Sequence, residues 1–90
     1  MLETRGVSIA GDVRLNKAGY GHFRSGSTIT GNLDVSQNGF AELNGLSITG
    51  ALNVETGAVV NAVSGTTVGG GVFCRLSGLV FSDIPALRCP

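Results

Sequence analysis

Ser27-Thr28-Ile29-Thr30-Gly31-Asn32-Leu33-Asp34-Val35 and Leu46-Ser47-Ile48-Thr49-Gly50-Ala51-Leu52-Asn53-Val54 are two settings of one phrase, 19 residues apart. A copy precedes them, Ser8-Ile9-Ala10-Gly11-Asp12-Val13-Arg14-Leu15, and a looser one follows, Thr67-Val68-Gly69-Gly70-Gly71-Val72-Phe73-Cys74. The equivalent glycines Gly11, Gly31, Gly50 and Gly70 stand 20, 19 and 20 residues apart, and Gly26, Gly45 and Gly65 mark a second position in the intervals. A fixed period of this length is the signature of a solenoid, because one unit cannot bury its own apolar face and must stack on its neighbours.

Inside the unit the apolar rhythm is two, which belongs to strands and excludes helical repeats. Ile9, Val13 and Leu15 point one way, as do Ile29, Leu33 and Val35 and then Ile48, Leu52 and Val54. Another short alternating piece, clearest in Ala41-Glu42-Leu43 and looser in Asn61-Ala62-Val63, supplies a third side. The expected fold is all-β: a parallel β-helix of about four coils, each with three short strands. Residues 7–74 form the repeat core, 1–6 a lead-in, and 75–90 an apolar, irregular segment. Stacking predicts inward ladders Ile9/Ile29/Ile48/Val68, Val13/Leu33/Leu52/Val72 and Leu15/Val35/Val54/Cys74. It also sets Arg14 above Asp34 and Asn53 on the outside, and it puts the glycines at corners, where access to positive φ is useful.

The chain has 90 residues, 15 of them glycine, with 42% hydrophobic residues and six basic side chains against six acidic ones. Zero net charge argues against nucleic acid, which calls for a clustered basic patch, and leaves little repulsion between copies. No stretch approaches the roughly 20 apolar residues of a helical membrane span, so the default location is cytoplasmic, with membrane contact left open. Catalytic chemistry finds little support. The single histidine, His22, reads as a surface residue, and Asp12, Asp34, Glu42, Glu55 and Asp83 scatter over different coils. No cofactor, metal or small-molecule substrate is expected. Cys74 reads as packing on an inward ladder, or as one half of a Cys74–Cys89 staple that would hold the tail over the last coil.

The repeated phrases, each followed by a Gly-x-Ala-x-Leu or comparable stretch and a further glycine, resemble the coils of bactofilins over about residues 7–74. That resemblance implies a right-handed, three-sided β-helix that polymerises end to end without nucleotide or metal and acts as a bacterial cytoskeletal scaffold with protein clients. Physical reasoning points the same way, since the first and last coils of a β-helix expose unpaired backbone groups and a disc of apolar side chains. Leu2, Val7, Phe73, Leu79, Val80 and Phe81 are the candidates for self-assembly or for capping those ends. Two alternatives stand beside the scaffold. One is an ice-binding face built from Thr28, Thr30, Ser47, Thr49 and Thr67; the other is a fragment of a secreted β-helical adhesin.

Overall fold

The computed structural model describes residues 2–63, 65–84 and 87–89 as a stack of parallel strands. The strands are β1 Leu2–Thr4, β2 Ser8–Ile9, β3 Val13–Leu15, β4 Tyr20–Phe23, β5 Thr28–Ile29, β6 Leu33–Val35, β7 Phe40–Asn44, β8 Ser47–Ile48, β9 Leu52–Val54, β10 Val59–Val63, β11 Thr67–Val68, β12 Val72–Cys74 and β13 Leu79–Ser82. They form three sheets, β1-β4-β7-β10-β13, β2-β5-β8-β11 and β3-β6-β9-β12, so the chain visits each side once per coil. This is the expected parallel β-solenoid of about four coils with three strands in each.

The register is the one read from the repeat. Ile29 pairs with Ile9 and Ile48, and Leu33 with Val13 and Leu52. Ile29, Leu33, Leu52, Val35 and Val54 are completely buried, and each side chain removed from water in this way contributes roughly 1.5–3 kcal/mol. The ladders fade toward the ends, where Ile9, Val13, Val68 and Cys74 are only partly buried against the core. A rung with a neighbour on one side alone is covered less completely, although Leu15 and Val72, also end rungs, stay buried.

The structure corrects the boundaries at both ends. Leu2–Thr4 is no lead-in: it is the outermost strand of the largest sheet, paired with β4 through Glu3↔His22 and Thr4↔Phe23. Likewise the segment after Cys74 keeps the repeat for one more side, with Val59↔Leu79, Val60↔Val80 and Asn61↔Phe81. Val80, one of the candidates for self-assembly or capping, points inward and is 9% exposed, whereas Leu79 and Phe81 point out. Met1, Ser64, Pro85, Ala86 and Pro90, four of which belong to the lead-in and tail segments, lie outside the described residues.

The glycine columns do two different jobs. Gly26, Gly45 and Gly65 have φ of +82°, +72° and +92°, the left-handed corner that was expected. Gly31, Gly50 and Gly70 are not in that region, and the requirement there is space. A Cβ on Gly50 would lie 2.5 Å from the Gly31 carbonyl oxygen, and one on Gly70 would lie 2.8 Å from the Gly50 carbonyl carbon. The coils approach so closely here that their backbones bond directly, Gly31 N–H to Gly11 O at 2.9 Å and Gly50 N–H to Gly31 O at 2.9 Å. Beside this column the Asp12 carboxylate accepts the Asn32 N–H, and the Asn32 amide oxygen accepts the Ala51 N–H, each at 2.8 Å.

A third corner escaped the sequence reading. Four-residue turns close at Gly19 N–H to Asn16 O, Gly39 N–H to Ser36 O, Ala58 N–H to Glu55 O and Gly78 N–H to Arg75 O. Their third positions, Ala18, Asn38, Gly57 and Ser77, all have positive φ. Four different residue types share one backbone conformation, so no repeated letter announces it.

Candidate assembly site

A β-solenoid satisfies its backbone by stacking, so its two ends are where unpaired groups remain. The two ends of this chain are built differently.

At the C-terminal end the tail turns back over the last coil. Cys74 and Cys89 form a disulfide with Cα atoms 5.7 Å apart, so the staple is present. Leu87 is 4% exposed within the core cluster, and Ile84 and Cys89 pack against it. Ser82 holds the turn through its hydroxyl, which accepts the Ile84 N–H at 3.0 Å, and through its carbonyl, which accepts the Arg88 Nε–H at 3.0 Å. Around this cap stands an apolar rim. Phe73 and Phe81 are 58% and 57% exposed, with Leu76 and Leu79 also exposed. Of the residues proposed for capping or assembly, Phe73, Leu79 and Phe81 thus lie on the outside of the last coil, while the lid itself is made by Leu87, Ile84 and Cys89.

At the N-terminal end β1, β2 and β3 are the outermost strands of all three sheets. The Thr4 carbonyl accepts the Arg24 N–H at 2.8 Å, and the Gly6 N–H donates to the Ser25 carbonyl at 3.2 Å, so both residues turn their backbone toward the next coil. Strand alternation then turns the N–H and C=O groups of Glu3 to the open edge, and the planar trans peptides on either side of Arg5 turn its groups there as well. Leu2 and Val7 are exposed there, and the undersides of Ile9 and Val13 are incompletely covered. Thr4 is 6% exposed, and its hydroxyl is the one buried side-chain polar atom without a hydrogen-bond partner among the described residues. Such an atom forfeits about 1–3 kcal/mol relative to one that is paired. Neither Thr4 nor Arg5 stood out in the sequence; the signal was the alternation of Leu2 and Thr4, too short to separate from chance.

The outer face of the five-stranded sheet carries the other chemistry. Tyr20 stacks on Phe40 with ring centroids 5.3 Å apart, and their column continues through Val59 and Leu79. His22 is half-buried, and its Nε2 lies 3.6 Å from Glu42 across the strand pair. The Tyr20 phenol titrates above its ordinary value, first because the sheet face desolvates it and then because of the adjacent Glu42 carboxylate. On the neighbouring side Arg14 and Asp34 are paired in register but form no ion pair. Arg14 Nε–H reaches the Ser36 hydroxyl at 3.4 Å, and Asp34 instead accepts from the Asn53 amide at 2.6 Å. Two open surface grooves flank this side, one of about 500 Å³ beside Arg14, Lys17, Ser36 and Glu55 and one of about 570 Å³ beside Asp34, Asn53, Phe73 and Arg75. No cluster of three metal-ligating side chains occurs among the described residues.

The threonine face is poorly built for an ordered lattice. Ser8, Thr28, Ser47 and Thr67 do align on strands of two residues. The Thr30 hydroxyl, however, is tied to the coil below, accepting from the Gly11 N–H at 2.9 Å and donating to the Ile9 carbonyl at 3.3 Å.

Compared with family models, with curated proteins and with solved structures, the chain matches none. No helix among the described residues is long and apolar enough to cross a membrane.

Proposed function

We propose that this chain is a non-enzymatic structural protein that assembles through the ends of its coil stack, in the manner of a bactofilin-like scaffold. The observation that carries this reading is the N-terminal end. Three strand edges, a half-covered layer of Ile9 and Val13, and the buried unpaired Thr4 hydroxyl are concentrated on one small surface. The inner layers solve these problems by adding a coil and the last coil by its stapled tail, so adding a subunit solves them here. The apolar rim of Phe73, Leu76, Leu79 and Phe81 around the opposite end supplies a second contact, which extends pairs into longer oligomers or filaments. Zero net charge lets copies approach without repulsion. A location is part of the proposal too: a bridged Cys74–Cys89 pair suits an oxidising compartment better than the cytoplasm expected from the sequence.

Negative-stain microscopy combined with light scattering at neutral pH tests the reading. The expected result is end-to-end oligomers whose length grows with concentration and shortens in Phe81→Glu, with the β-sheet circular dichroism unchanged. A chain that stays monomeric at high concentration overturns it.

A further inference from the structure

We infer that the partner at the N-terminal end is a second copy of this chain, joined by antiparallel pairing of the two β1 edges about a two-fold axis at Thr4. The inference rests on the reading that the chain assembles through its coil ends, and it adds the partner, the symmetry and the register.

Three independent features select that register. The first is the direction of the backbone. In an antiparallel ladder centred on Thr4, Glu3 of one copy lies opposite Arg5 of the other. These are the two residues whose N–H and C=O groups face the open edge, because the Thr4 carbonyl and the Gly6 N–H, on the peptide planes either side of Arg5, are turned to Arg24 and Ser25. Glu3 and Arg5 therefore form the hydrogen-bonded pair of the ladder, and Thr4 faces Thr4 as the close, non-hydrogen-bonded pair. The second is charge. Glu3 and Arg5 are both exposed and two residues apart, so they point to the same outer face. This register sets each carboxylate opposite a guanidinium, twice per pair of chains, whereas centring on Glu3 would oppose two carboxylates. The third is Thr4 itself. Its hydroxyl is buried without a partner, and across the two-fold it meets its equivalent, so that one donates and the other accepts.

The neighbours fit as well. Leu2 falls opposite Gly6, where even an added Cβ would meet nothing within 4 Å. With β1 on β1, the two-fold brings β2 of each copy beneath β3 of the other and covers the partly buried Ile9 and Val13. Pairing the N-terminal end with the C-terminal end of another copy would instead set β1 against β13, where the tail already occupies the Ser82 carbonyl through Arg88 and sets the Cys89 sulfur against the Gly78 carbonyl.

Cross-linking and charge reversal test the register. In an antiparallel non-hydrogen-bonded pair the Cα atoms are about 4.5 Å apart, within disulfide reach. Under mild oxidation Thr4→Cys is expected to give a covalent dimer at low micromolar concentration, while Glu3→Cys, which faces Arg5, stays largely monomeric. E3R and R5E are each expected to weaken the pair roughly 10- to 30-fold in sedimentation equilibrium, and the double reversal E3R/R5E to restore it. Circular dichroism of each variant checks that the coils are intact. If T4C cross-links no better than E3C, or if the double reversal is as weak as the singles, the register is wrong although the chain assembles. If the unmodified chain is monomeric throughout, both the register and the end-assembly reading fall.

Discussion

The two ends of this stack meet the same physical problem with opposite solutions. The last coil is covered by its own chain: Leu87 fills the apolar disc and the Cys74–Cys89 bridge ties the cover down. The first coil leaves three strand edges open and keeps a polar atom unpaired beneath its surface. In a molecule measuring only 31 × 26 × 18 Å, each end is a large share of the whole. The difference teaches that one repeat can present two unlike ends, a stapled apolar cover at one and the strand edges of β1, β2 and β3 at the other.

The largest expected effect contrasts the middle with the open end. Leu33 is completely buried, and Leu33→Ala should cost about 3 kcal/mol, whereas Val13, one coil lower on the same ladder, should cost only about 1 kcal/mol. Urea titration at low concentration measures both, and equal losses would show that the first coil is as enclosed as the second.

Next comes the closed end. Cys89→Ser removes a bridge between residues 15 apart in sequence and should lower stability by roughly 2–3 kcal/mol. An unchanged denaturant midpoint would mean that Leu87 and Ile84 hold the tail without the staple.

The smallest effect sharpens the contrast at the open end. Thr4→Val keeps the shape and deletes the orphan hydroxyl, so the isolated chain should gain up to about 1 kcal/mol. Association should weaken at the same time, because the hydroxyl pair across the two-fold is lost. A stability loss on this substitution would show that the hydroxyl has a partner in the single chain.

Most of the core was legible because stacking repeats inward residues almost letter for letter, as Ile29 over Ile9 and Leu52 over Leu33. The ends were less legible for a physical reason. β1 and β13 occupy the side of the coil that lacks the Ser/Thr-Ile-x-Gly phrase, and only brief alternation marks them. The turn at Ala18, Asn38, Gly57 and Ser77 was hidden because it repeats a dihedral angle rather than a residue. Spacing alone could not separate glycines chosen for positive φ, such as Gly45, from those chosen for close approach, such as Gly50. Of the proposed assembly surface, Leu2, Val7, Phe73, Leu79 and Phe81 were visible as apolar residues near the ends. The inward turn of Val80, the orphaned Thr4 and the Glu3–Arg5 complement needed the register of β13 and β1.

Sedimentation velocity of the unmodified chain, from low micromolar to near-millimolar concentration, tests most directly that the open end recruits another copy. A monomer converting first to a species of twice the mass, before anything larger, is the predicted result. A single monomeric boundary over the whole range would contradict it.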